Sequence, residues 1–350
     1  MFIKLVHRNT LSVEAIAKRV PNGDLIIICT CDGVTEPAID NQVYIFRSKD
    51  NGRTWEQRKK INKEDGLAHY QTETSVFGDE IRVFITKHNG KFLDWQNYCL
   101  VSKDSGETWH EEQTPCLPSY AFVRGGIALS SGRILYPYHF FPVTEQQIDY
   151  CKENNLLILE NDVEYLENGV LISDDNGKSF QRNRAIITDK KKLTAKGYSK
   201  WIWNENTIIE LEPGHIVMLY RLDGAGFLWR ADSYDYGTTW SKGHMTDIAN
   251  PSNKPFLLKT PKGEIVLINT HQSKLGLVQR HPLEIWVSAD NMKTWYKKIT
   301  LSNFPGIYSY AAGFAEDDNH VRLAFEFNRH DVYYAEIDLN AEYQEVKRYD

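Results

Sequence analysis

Apolar and polar residues alternate with a period of two along most of this 350-residue chain. That is the pattern of strands with one face buried. The alternation comes in paired runs with a turn signal between them. In residues 14–30 two such runs flank Pro21-Asn22-Gly23, and in residues 71–87 they flank Gly78-Asp79. Comparable runs fill residues 120–140, 200–240, 252–271, 281–295 and 307–339. Phe2 to Val6 reads as a further strand. No stretch shows the 3.6-residue period of a long amphipathic helix. Pro142 to Asn161 carries mixed charge without alternation and reads as a loop projecting from the body. No Pro-, Gly- or Ser-rich linker interrupts the pattern. The expectation is therefore an all-β chain forming one domain over residues 1–350.

One phrase punctuates the strands five times. It reads SKDNGRTW from Ser48, SKDSGETW from Ser102, SDDNGKSF from Ser173, SYDYGTTW from Ser233 and SADNMKTW from Ser288. Asp and Asn bond their own local backbone, Gly supplies a positive φ, and Thr-Trp suits the start of a returning strand. Each copy is thus expected to be a hairpin turn. Its aspartate (Asp50, Asp104, Asp175 or its neighbour Asp174, Asp235, Asp290) would serve the turn, because equivalent residues at five equivalent turns cannot share one site. Met292 replaces the glycine in the fifth copy, so that turn is expected to differ in backbone shape.

These phrases resemble the Asp-box, or bacterial neuraminidase repeat, and the chain is thereby similar to the sialidase superfamily. The resemblance implies a six-bladed β-propeller, here with five Asp-box turns. The N-terminal strand would complete the last blade.

Composition narrows the partners. The net charge of −6 argues against nucleic acid or an anionic membrane as a general partner. It leaves room for a local basic pocket. The five cysteines fit no zinc spacing and read as small buried hydrophobes. The eleven histidines show no metal-ligand pattern, so neither a metal nor a cofactor is expected. The N-terminus lacks the apolar run of a signal peptide, and no segment reaches the length of a membrane span. Both point to a cytoplasmic location. The oligomeric state is not legible.

The resemblance also implies a site. Family members use a tyrosine nucleophile, activated by a glutamate, and arginines that grip the substrate carboxylate through forked hydrogen bonds. Tyr310, followed by Asp317-Asp318-Asn319 and Phe325-Glu326, matches the stretch carrying the nucleophile, with Tyr308 as its rival. Glu205 matches the base, and Arg221 and Arg280 match two of the three arginines. The first arginine is absent from its expected place, which falls near Val13 and Glu14; Arg19, before Asn22-Gly23, belongs to the strand-turn pattern instead. For the acid/base residue the first-blade loop offers Glu36 and then Asp40, with Asp32 also present. Arg124, His139, Arg329 and Trp203 (with Trp201) are further candidates for sugar contacts. Together these imply an exo-acting glycoside hydrolase removing a terminal acidic sugar from a glycan. The departures keep two alternatives open: another sugar, uronic or neutral, cleaved by hydrolysis or elimination, and a glycan-binding propeller without turnover.

Overall fold

The computed structural model describes residues 1–8, 10–114, 116–158, 163–194, 203–301, 305–341 and 347–349. Their strands form six sheets, antiparallel except where Phe2–His7 pairs parallel with Lys347–Tyr349, arranged as the blades of a β-propeller. The innermost strands are Ser12–Arg19, Ala68–Phe77, Ala121–Val123, Asn206–Glu212, Phe256–Lys259 and Tyr308–Ala315. Each packs beside the inner strand of a neighbouring blade, so together they surround a central axis. The first blade holds Ser12–Arg19, Leu25–Cys31, Gln42–Ser48 and Lys59–Lys60. The sixth is built from Tyr308–Ala315, His320–Phe327 and Asp331–Asp338, with Phe2–His7 added antiparallel to the last, Ile3 opposite Ala335 and Leu5 opposite Tyr333. The N-terminal strand thus closes the ring.

The apolar core lies mainly between the blades. Ile26, Ile28, Val83 and Ile85 form one slab between blades one and two, and Ala15, Phe46, Ala324 and Tyr334 form another between blades six and one. The repeated turns fasten these slabs. In each copy the serine hydroxyl donates to the aspartate two residues on, at 2.7–2.9 Å, and accepts the N–H four residues on, at 2.8–2.9 Å. The aspartate then accepts the backbone N–H and hydroxyl of Thr54, Thr108, Ser179, Thr239 or Thr294. In the third copy this aspartate is Asp175. These bonds favour the ionised form and hold the Asp50 carboxyl down at about 2. The aromatic that follows packs on a neighbouring ring: Trp55 meets Tyr334 of blade six at 5.4 Å, while Phe180 meets Tyr136 and Trp295 meets Trp286, each at 5.7 Å, within their own blades.

The fifth turn departs from expectation. Met292 takes φ +65°, in the same left-handed region as Gly52 at +84°, and makes the same bond to Ser288. A side chain at Gly52 would collide with the Tyr334 ring. At Met292 the matching space is open, and the side chain fills the slab between blades four and five. The cost of the positive φ is set against that burial.

The insertion also differs from a plain loop. Glu145–Glu153 is an α-helix, started by a capping box in which Thr144 and Gln147 exchange hydrogen bonds. Its Cys151 is buried, and Leu157 beyond it reaches the axial cavity. Among the described residues the five cysteines form no disulfide. Among the described residues, no helix is long and apolar enough to cross a membrane.

Candidate active site

At one end of the axis the inner strands and their loops enclose a cavity of about 690 Å³. Glu36, Arg124, Trp203, Glu205, Arg221, Arg280, Tyr310 and Arg329 all line it. Trp201 lies outside the described residues.

Backbone irregularities aim several of these groups. The pairing register slips between Val13 and Ile16, between Gln71 and Glu73, and between Ser309 and Ala312. Such bulges re-aim side chains that a regular strand would alternate. Glu14, Tyr310 and Arg329 have φ of +59°, +49° and +61°, and Ser252 has +68°. Left-handed backbone at non-glycine residues is costly and gathers at functional sites. Tyr308, two residues from Tyr310, instead stays in the core against Phe325 and Phe327.

The floor is a chain of alternating charges. Lys254 pairs with Glu14, Glu14 with Arg124 at 2.7 Å, and Arg124 with Glu205 at 3.2 Å. Glu205 in turn meets Arg221 at 2.9 Å, and Arg221 meets Asp223 at 3.2 Å. Glu14 therefore occupies the neighbourhood where the resemblance expected an arginine. It is fully buried, and its N–H donates to Glu326 at 2.5 Å.

Arg221 and Arg280 stand side by side because both donate to the Ser252 carbonyl, at 2.6 and 2.7 Å. Arg280 also donates to Ser309 at 3.0 Å. The Tyr310 ring has the Arg221 guanidinium 5.9 Å, the Arg280 guanidinium 5.4 Å and the Lys254 ammonium 4.9 Å from its centre. Its hydroxyl is within hydrogen-bonding reach of Arg221.

These charges set the proton equilibria. Burial, with help from Glu205, pushes the Tyr310 hydroxyl well up, against the pull of Arg221 and Arg280. The phenol is thus neutral at physiological pH and needs a base. Burial disfavours a charged Glu205, but Arg221, Arg124, Lys254 and Arg280 outweigh it and hold its carboxyl below the ordinary value. Burial raises Asp223 despite Arg221. Glu326 is raised to about 8, by burial first and by Glu14 and Glu36, with Arg329 opposing. The cations Arg124, Arg221, Lys254, Arg280 and Arg329 are thus matched closely by carboxyls, Glu14, Glu36, Glu205, Asp223 and Glu326, with buried Glu73 near Arg124 and Lys254.

The raised Glu326 makes a stability prediction. Its folded-state pKa exceeds the ordinary 4.5, so the folded chain holds a proton that the unfolded chain releases. The favourable contribution is complete below pH 4.5 and is lost as pH rises through about 8. At about 1.4 kcal/mol per unit, the swing is a few kcal/mol. The melting temperature of the parent, relative to Glu326→Gln, is expected to fall steadily from pH 5 to pH 8. A constant difference across that range in thermal unfolding would contradict it.

The remaining candidates divide. Glu36 pairs with Arg329 across the mouth. Asp40 is exposed and does not line the cavity. His139 lies behind the wall, stacked on Phe122 at 4.9 Å and 3°, with Trp203 at 6.0 Å. Burial, then Arg124, Arg221 and Lys254, keep it neutral, and neither ring nitrogen has a hydrogen-bond partner. Arg19 pairs with Glu316 and lines a separate cavity away from these groups. Sequence reasoning missed Asp223 and Lys254. Asp223 could have been suspected from its place two residues after Arg221. Nothing in the sequence singles out Lys254.

The BNR repeat-like domain family matches residues 71–323. The chain belongs to that family. This BNR-repeat propeller is 24% identical to a sialidase from Clostridium perfringens, in an alignment covering 95% of this chain and 89% of that one. It is 23% identical to a sialidase from Paraclostridium sordellii over 55% of this chain, and spans only 48% of that relative's length. Among solved structures, a protein of unknown function from Dyadobacter fermentans superposes with a TM-score of 0.71 at 16% identity, covering 96% of this chain and 98% of that one. A variant of the NanB sialidase from Streptococcus pneumoniae gives 0.70 at 15%, covering 96% of this chain and 70% of that one. At these identities the structural likeness shows the fold alone; the family match, together with the sialidase relatives, supports the sialidase/BNR-repeat propeller superfamily.

Proposed function

We propose that this BNR propeller is an exo-acting glycoside hydrolase of sialidase type. Tyr310 attacks the anomeric carbon, and Glu205 takes its proton as the bond forms. Arg221 and Arg280 hold the carboxylate of the acidic sugar. Glu36 protonates the leaving oxygen and afterwards activates water. The observation that carries this reading is the convergence of Glu205, Arg221, Arg280 and Tyr310, from three blades, on one cavity. The side-by-side guanidinium groups of Arg221 and Arg280 in the cavity support an anionic substrate. A neutral phenol also meets such a substrate without the repulsion a bare carboxylate would bring.

One observation favours a second reading, a uronic or neutral sugar cleaved by hydrolysis or elimination. Glu14 stands where the resemblance expected the first arginine, so the carboxylate grip rests on two arginines. A panel of aryl sialosides, aryl uronides and neutral aryl glycosides separates the two. Sialoside turnover is the expected result; turnover of uronides alone would transfer the assignment. Binding of a sialic acid analogue without any turnover would make the propeller a glycan-binding module.

A further inference from the structure

The floor of the cavity is charged throughout, whereas its mouth adds apolar surface beside the Glu36–Arg329 pair. Val34, Pro37, Leu157, Leu277 and Ile307 contribute to the lining there. Val34 is 85% exposed and Leu277 40% exposed. Their loops carry further bare apolar side chains: Ile39 beside Val34, and Leu275 and Val278 beside Leu277. Thus five of the ten large apolar side chains left exposed among the described residues sit in two loops at this mouth. Scattered exposed hydrophobics need no explanation, but a cluster at the edge of a site does.

We infer that the leaving group taken by this site is apolar, an alkyl or aryl aglycone rather than a further sugar. The inference rests on the proposed reaction. A residue that protonates the leaving oxygen must touch it, so the leaving group runs out along the loop that carries Glu36. Val34 and Pro37 flank Glu36 in that loop, and Leu277 lies on the wall of the same cavity. A sugar lying along Val34, Pro37 and Leu277 would surrender water from its hydroxyls to apolar side chains that return no hydrogen bond. An alkyl chain would gain roughly fourfold in affinity for each methylene it buries there.

The test compares octyl, methyl and lactosyl glycosides of the same acidic sugar. The octyl glycoside is expected to exceed the lactosyl one in kcat/KM by about tenfold or more, through a lower KM. The double variant Val34→Ser/Leu277→Ser is expected to reduce the octyl-to-methyl preference by about tenfold. Both residues are at the surface, so the fold tolerates the change. Equal or better use of the lactosyl glycoside, or an octyl-to-methyl ratio that the variant leaves alone, overturns the inference. Binding of both glycosides to the Tyr310→Phe protein by calorimetry separates this outcome from failure of the reaction itself. Tighter octyl than methyl binding with no turnover by the parent rejects the hydrolase and keeps the apolar mouth. Equal binding alongside turnover does the reverse. Sugar-independent binding to lipid vesicles, or a dimer abolished by the double variant, assigns the patch to a membrane or a second copy and also overturns the inference.

Discussion

Tyr310→Phe is expected to lower turnover of an aryl sialoside on the order of a thousandfold or more, while leaving the melting temperature nearly unchanged. The substitution removes one oxygen. The ring stays between Arg221, Arg280 and Lys254, so the cationic contacts to its face persist. Among the described residues the hydroxyl has no well-aligned hydrogen bond to lose, and the phenyl group loses nothing by burial. The nucleophile itself is gone, however, and the nearest carboxylate is Glu205, tied to Arg124 and Arg221. Steady-state kinetics and a thermal melt decide the matter together. Turnover within a few-fold of the parent would reject the tyrosine mechanism. A melting point many degrees lower would make any loss uninformative, and the persisting ring contacts argue against that.

Glu14→Ala is expected to be the most damaging single substitution in the floor. It strips Arg124 and Lys254 of their shared partner while both remain buried. Removing one partner of a buried pair typically costs about 3–5 kcal/mol, chiefly from the uncompensated charge left behind. For a chain of this size that corresponds to roughly 5 °C in melting temperature. The double variant Glu14→Ala/Arg124→Ala is expected to recover part of the loss, because one of the stranded charges leaves as well. Thermal unfolding of the single and double variants measures both effects. A single variant within a degree of the parent would show that the alternating chain of charges is not supporting the fold.

How much of this was legible in the sequence follows from physical scale. The blades were, because their signals are repeated and local: the two-residue alternation, the turn serine with its aspartate, and the aromatic that follows. Glu205, Arg221, Arg280 and Tyr310 were candidates because the stretches around them resemble the family's motifs, and for Arg280 because it lies eight residues before Ser288. Glu14 was not, since its placement depends on a bulge and a positive φ that no residue type there announces. Lys254 and Asp223 acquire meaning only from neighbours in other blades. Met292 was misjudged because the turn was read from its own residues, whereas the room for a side chain is decided by the blade alongside. The helix Glu145–Glu153 was overlooked although Thr144 and Gln147, three apart, carry a capping-box pattern.

The strand Phe2–His7 has a consequence in time as well as space. Its partner Asp331–Asp338 is made well after it, since the strands of five blades lie between the two in the chain. Until that partner emerges, blade six is missing a strand and the ring stays open. Glu14 in blade one and Tyr310 in blade six are brought together only across that seam. The proposed site and the closed ring should therefore arrive in one step. Long-range pairings of this kind fold slowly, and the waiting chain exposes an unpaired strand edge to aggregation or a chaperone.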